Sequence, residues 1–176
     1  MLFGKLQFQP ANEHFELVAI PTREAIKRLG LQDVQVSEID ETLADTADFC
    51  EHYDVGLDVS ANCVIVEAKR ADKTWYAACM VLATTRADVN GVIRRHLDAR
   101  KISFAPMNTA TTLTTMMYGG ITPIGLPTGW PILIDIRVDK AERIIIGSGL
   151  RKSKILVSGN VLASLPNAGV LDIVKQ

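Results

Sequence analysis

No apolar run in the sequence approaches the roughly eighteen residues that a bilayer-crossing helix needs, so a membrane-spanning protein is not expected. The opening residues, MLFGKLQFQP, lack the basic-then-apolar layout of a secretory leader. Cysteine is scarce and odd in number: Cys50, Cys63 and Cys79 form no C-x-x-C pair, which argues against a disulfide framework or a thiolate zinc site. A reducing cytoplasm is the expected location. Charge of neither sign dominates, with 19 Lys and Arg against 20 Asp and Glu for a formal net of −1. That is not the basic field of a protein that grips long stretches of nucleic-acid backbone, so any such contact should be local.

Several catalytic signatures are also missing. His14, His52 and His96 are scattered, without the H-x-x-x-H spacing of zinc hydrolases, so no metal is expected. There is no G-x-S-x-G elbow, and Cys63 sits in an alternating β-pattern beside Val64 and Ile65, where a core thiol is the usual outcome. No Walker spacing is present, which leaves no cofactor to predict.

What remains is an ordinary globular composition, 48% hydrophobic and 22% charged over 176 residues, enough for one domain. Residues 1–44 read as an N-terminal appendage packed on the core: a strand through Phe15, Leu17, Val18 and Ile20, a turn at Pro21, then a helix capped by Thr22 and ended by Gly30. Residues 45–176 read as the main domain. Asp45 to Asp48 start a helix whose inward face is Ala47, Cys50 and Tyr53, with Gly56 at its exit. β-Rich runs at 62–67 and 74–82 flank a polar turn and should pair antiparallel. Asp88 caps a helix with a Val89, Val92, Ile93 and Leu97 stripe. A strand at 102–104 and a threonine-rich helix at 108–115 follow. The last third is a loop over 118–131, strands at 132–136, 143–146 and 155–157, and a helix at 161–165. These elements predict an α+β domain on a mixed or antiparallel sheet, partly barrel-like, with flanking helices.

Two segments stand out. Tyr118-Gly119-Gly120-Ile121-Thr122-Pro123-Ile124-Gly125 combines adjacent glycines with a proline, a backbone whose amides are able to hold an oxyanion or a water. Taken alone, a plain connecting loop explains it as well. Gly147-Ser148-Gly149-Leu150-Arg151-Lys152-Ser153-Lys154 is a flexible turn followed by three cations within four residues, suited to a phosphate or a terminal nucleotide, or simply a solvated hairpin. Arg94, Arg95, Arg100 and Lys101 form a modest basic face.

Taken in order, Gly119 to Gly125, then Pro131-Ile132-Leu133-Ile134-Asp135, then Ile146 to Arg151 resemble the YbaK/prolyl-tRNA-synthetase-associated editing family over about residues 45–173. The resemblance implies a free-standing aminoacyl-tRNA deacylase. In it, backbone amides of Gly119, Gly120, Ile121, Thr122 and Pro123 surround the ester that joins a wrong amino acid to the terminal ribose. It implies as partner a tRNA acceptor end, contacted through Ser148, Gly149, Arg151, Lys154 and Arg86. Such chemistry needs no side-chain nucleophile, because an activated ester requires chiefly a positioned water and charge stabilisation. The resemblance leaves residues 1–44 unexplained; Phe3, Phe8 and Phe15 there suggest a segment that docks on an aminoacyl-tRNA synthetase or on a second copy of the chain.

One position departs from the pattern. Active members carry a lysine early in the first β-run, where this chain has Asn62, which offers neutral donors and an acceptor in place of a fixed charge. Asn62 therefore joins the catalytic set, with Arg86 or Arg151 as sources of the missing charge. The alternative is a binding module that keeps the pocket for an aminoacyl-tRNA end or aminoacyl-adenosine-like ligand and hydrolyses poorly.

Overall fold

The longest local pairing, two β-rich runs either side of residues 71–72, forms the spine of the protein. The computed structural model describes residues 1–175. Short strands β1 (Leu2–Phe3), β2 (Leu6–Gln7) and β3 (Gln9–Pro10) lead to helix α1 (Ile20–Leu29) and β4 (Gln35–Glu38). Helix α2 (Thr46–Tyr53) precedes the hairpin of β5 (Ala61–Arg70) and β6 (Lys73–Leu82). A π-helical turn (Val89–Ile93) runs into α3 (Arg94–His96), followed by β7 (Lys101–Phe104) and α4 (Met107–Thr114). After a long loop come β8 (Ile132–Asp135), α5 (Ile136–Asp139), β9 (Ile144–Gly147), β10 (Ser153–Val157), α6 (Gly159–Ala163) and β11 (Ala168–Leu171).

These strands make two main sheets. The five-stranded one runs β11-β8-β6-β5-β7, with β11, β8 and β6 parallel and the rest antiparallel. The four-stranded one, β3-β4-β10-β9, is antiparallel throughout. They meet where Ser60 bridges Ile145, and among the described residues the strands do not close into a barrel. The fold is the expected α+β domain. The main core lies between the sheets, where Ile134, Ile144, Ile146 and Ile155 pack with Met80, Ile124 and Leu162. No helix of the described residues is long and apolar enough to cross a membrane.

The β5–β6 hairpin pairs antiparallel as expected, Ala61 opposite Leu82 through Arg70 opposite Lys73, with Ala71 in the left-handed region at the turn. Asp88 caps as read: its carboxylate accepts from the N–H groups of Gly91 and Val92. Asp88→Ala should cost about 1 kcal/mol, readable as a lower melting temperature.

Elsewhere the sequence misled. The expected strand through residues 15–20 is a 3-10 turn (Phe15–Leu17), and α1 begins at Ile20. Pro21 stands in the first turn, where its fixed φ suits a helix and its missing N–H costs nothing, so Thr22 is a buried helical residue rather than the cap. Gly30 ends α1 in the left-handed conformation, as expected. Helix α2 turns Phe49 and Cys50 inward and leaves Ala47 exposed. Its left-handed cap is Asp54, two residues before Gly56. The run at 132–136 stops at Asp135, whose carboxylate accepts from Arg137 N–H and starts α5. Strands β4 and β11 had no periodic signal long enough to announce them.

Residues before 44 are woven into both sheets' surroundings. Strand β4 lies between β3 and β10, and Val18, Ala25 and Ile26 join the main core. Phe8 is buried beside Phe49, while Phe3 and Phe15 pack on partly buried core faces. These aromatics therefore have places inside the chain's own fold, which removes the reason for seeing a synthetase-docking surface in them.

Candidate functional site

The sheet junction at Ser60 and Ile145 leaves a cavity of ≈ 490 Å³, walled by the start of β5, the end of β9, α2, α4 and the glycine loop. Its size falls in the usual range for small-molecule sites. The lining divides by depth. Phe104, Met107 and Tyr118 are 64%, 56% and 58% exposed and form the rim. Ala44, Phe49, Ile145, Ile146 and Lys154 are buried and form the floor.

The glycine loop meets this cavity through Gly119 and Ile121. Gly119 has φ +78°, and a Cβ there would lie 2.5 Å from an Arg151 guanidinium nitrogen. The loop's donors are not equally available. Gly120 N–H donates to Met117 O at 3.0 Å and Thr122 N–H points at Met116 Sδ at 3.5 Å, while Pro123 has no N–H. Among the described residues the N–H groups of Gly119 and Ile121 meet no acceptor. From Gly119 to Pro123 these are the two N–H groups left without a partner on residues that line the cavity. Gly120, Thr122 and Pro123 are buried behind the cavity wall, and Pro123 borders a separate groove with Gly125 and Trp130.

The loop is pressed against the β9–β10 turn. Gly149 N–H donates to Gly120 O at 2.6 Å, and Met117 N–H donates to Gly149 O at 2.9 Å. A Cβ on Gly147 would fall 2.4 Å from Gly120 O and 2.6 Å from Ile121 O, so only glycine permits this approach. Ser148 is fully buried, its hydroxyl 2.7 Å from Ser153 Oγ.

Asn62 stands on β5 at the cavity wall, and its side-chain oxygen accepts from Thr46 Oγ1 at 2.7 Å. Its amide nitrogen has no protein partner among the described residues. Asp45 occupies the N-cap position of α2, yet its side chain makes no capping bond. Its carboxylate instead faces the mouth beside Gly119, 3.7 Å from where that residue's Cβ would be. Arg151 donates to Tyr118 O and Glu41 O, bracing the same edge.

Lys154 is the unexpected member. The sequence placed it among the cations for a phosphate or a terminal nucleotide, but its β10 position opposite Gly147 turns it into the floor, where it is 7% exposed. Its ammonium donates to Ala44 O at 2.9 Å and lies 5.1 Å from the centre of the Phe49 ring. Burial holds its pKa down at about 8, partly opposed by nearby Cys50 and Asp45 and reinforced by Arg151. Cys63 also lines the cavity, but burial pushes its thiol far upward, so it stays protonated and poorly nucleophilic.

Of the residues expected at the substrate, Gly119, Ile121, Asn62 and Lys154 line the cavity, and Arg151 touches its rim. Ser148 and Gly149 do not; the packing that fixes the loop uses their polar groups. Arg86 does not either: it is exposed at another edge, where its carbonyl accepts from Lys175 N–H. Sequence reasoning missed Asp45, which looked like a helix cap, and Gly147, which looked like part of a turn. It also missed the rim of Phe104, Met107 and Tyr118. Exposed apolar residues carry no sequence signal until the fold gathers them. Among the described residues no group of three or more His, Cys, Asp or Glu gathers to hold a metal.

Residues 40–165 match the family described as the aminoacyl-tRNA editing domain. No curated protein matches the chain. Among solved structures, a candidate trans-editing enzyme for prolyl tRNA synthetase superposes with a TM-score of 0.76 at 16% identity, over 90% of this chain and 99% of that one. A hypothetical protein gives 0.77 at 19% identity over 88% and 99%. A candidate signal transduction protein from Marinobacter aquaeolei VT8 gives 0.58 at 14% identity, covering 90% of this chain but 31% of that one. At these identities the superpositions show a shared fold.

Proposed function

Since the chain belongs to the aminoacyl-tRNA editing domain family, we propose that it is a trans-acting deacylase that hydrolyses the ester of a mischarged tRNA in the cavity beside the glycine loop. The observation that carries this reading is the pair of unpaired N–H groups on Gly119 and Ile121 at the cavity wall.

In this reading the ester carbonyl oxygen sits against those two donors. Water adds to the carbonyl carbon, the new negative charge on oxygen is held by the two N–H groups, and collapse breaks the bond to the ribose oxygen, which takes up a proton. The products are a free amino acid and a tRNA with both terminal hydroxyls restored. Fixed dipoles aimed at developing charge supply most of the acceleration in such sites, on the order of 10²–10³ per donor. Asn62 Nδ2, fixed by Thr46, directs the water or a ribose hydroxyl. Asp45, free of capping duty, receives the α-ammonium of the aminoacyl group. The exposed rim of Phe104, Met107 and Tyr118 offers faces on which the terminal base stacks, a contact worth about 1–3 kcal/mol per base. Arg151 meets the acceptor-end phosphate. Near-neutral net charge fits recognition of a tRNA end rather than its length.

Asn62→Ala is expected to slow release of the amino acid from a mischarged tRNA about tenfold or more while leaving the melting temperature nearly unchanged, since Asn62 is exposed. Gly119→Ala should be slower still, because the left-handed φ costs an alanine about 1–2 kcal/mol and its methyl displaces Arg151. Single-turnover assays of both variants check this. Unchanged turnover in both would remove the loop from the chemistry. A second reading, a pocket that binds the aminoacyl end without hydrolysing it, is favoured by the neutral Asn62 where active relatives carry lysine. It predicts protection of the ester on binding rather than release.

A further inference from the structure

A charged amine in the cavity floor beside Phe49, Ile145 and Ile146 needs an explanation. Lys154 has three N–H donors, of which Ala44 O takes one. The Phe49 ring covers another side. Among the described residues no carboxylate lies within ion-pairing distance of it, because Asp45, the acidic residue it senses, faces the mouth. Burying a charge without a counter-ion is costly, and a methionine or leucine would fill the same place more cheaply. Lys154 lines the cavity together with Ala44 and Phe49, the residues its ammonium touches, so a ligand is able to supply the missing partner.

Depth decides which part of the ligand that is. In the proposed deacylase, on which this inference rests, the nucleotide occupies the exposed rim and the ester lies at Gly119 and Ile121. What reaches the floor beside Ile145, Ile146 and Phe49 is then the amino acid's side chain. An apolar side chain there would leave Lys154 desolvated and unpaired, whereas a carboxylate would meet it directly.

We propose that Lys154 is the specificity-determining residue of the pocket and selects aminoacyl groups whose side chain carries a carboxylate, aspartyl or glutamyl esters, over their neutral amide counterparts. The two classes have nearly the same size, so steric fit does not separate them. A site built around a buried polar group rejects an analogue lacking the matching group far more strongly than a merely apolar pocket does.

The test compares the protein with Lys154→Met on tRNAs carrying aspartate, asparagine, glutamate or glutamine. A parallel arm titrates non-hydrolysable 3′-amide adenosine analogues bearing aspartyl or asparaginyl groups. The unaltered protein should favour the acidic member of a pair by on the order of tenfold or more in kcat/KM and in affinity. Lys154→Met should bring that ratio to one or below. The preference should also fade as pH rises through about 8, where the amine, facing Asp45, Cys50 and Arg151, loses its proton. Acidic preference in the analogue titration without ester release would overturn the deacylase reading and keep the carboxylate site. Release of neutral esters with no acidic preference, or an unchanged ratio in Lys154→Met, would overturn the carboxylate site and keep the deacylase.

Discussion

Lys154→Met is expected to make the protein more stable at neutral pH, by about 1–3 kcal/mol in a urea titration. The reason lies in the same buried ammonium. Its pKa stands at about 8 in the folded state against the ordinary 10.5, so at pH 7 holding the proton in the fold costs roughly 3 kcal/mol. Methionine keeps the length and apolar contacts of the side chain. It leaves the Ala44 carbonyl without its donor, which takes back about 1 kcal/mol. The sign of the pH dependence follows. Between about 8 and 10.5 the unfolded chain binds more protons than the folded one, so the wild type gains stability as pH rises through that window and the variant lacks this gain. Cys79, whose thiol burial pushes up to about 12, works the other way above pH 9, but it is common to both proteins and cancels in their difference. A variant that is less stable at pH 7, with the gap independent of pH, would mean that the ammonium is well paired in the fold.

Gly147→Ala should have the opposite outcome, losing both stability and activity. No turn conformation is at stake, because Gly147 is a regular residue of β9. The obstacle is steric: the added methyl would sit 2.4 Å and 2.6 Å from the carbonyl oxygens of Gly120 and Ile121, and backbone atoms cannot swing aside as a side chain does. Overpacking of this kind costs about 1–3 kcal/mol. Relief requires the loop to move off the sheet, which carries the Gly119 and Ile121 donors away from the ester. A displacement of about 1 Å at a reacting centre is enough for a loss on the order of 10²-fold. Urea titration and single-turnover release, measured on the same preparation, should both report the change. Wild-type turnover in Gly147→Ala would show that the loop's position against β9 is irrelevant to the chemistry.

The features legible in the sequence are those with local causes. Two β-rich runs either side of a polar stretch announced the β5–β6 hairpin, and Asp88 ahead of an apolar stripe announced its cap. The glycine loop and the Gly-Ser-Gly turn were visible as unusual backbone. That they lock together through the Gly149 N–H to Gly120 O bond was not, because nothing local links residues about thirty apart. Pro21 was misread as a break when it begins a helix, since proline in a first turn and proline in a loop look alike in sequence. Lys154 shows the same limit most sharply. Among Arg151, Lys152 and Lys154 it looked like one of three cations for a phosphate or a terminal nucleotide, and strand alternation alone would have put Lys152 and Lys154 on one face. The structure separates them, with Lys152 exposed and Lys154 in the cavity floor beneath Ala44. Asp45 was correctly placed at a helix start, but the role that position suggested is not the one its carboxylate takes.

Hydrolysis of an aminoacyl ester by a water that Asn62 directs, with the developing charge held by the Gly119 and Ile121 N–H groups, is the step on which the proposed function stands. It is tested most directly by incubating the unaltered protein with a panel of mischarged tRNAs and measuring release of each amino acid against the spontaneous rate. Release well above background is expected for at least one ester, with its loss in Gly119→Ala. Background rates for every ester, with the protein folded and the tRNA bound, would contradict it.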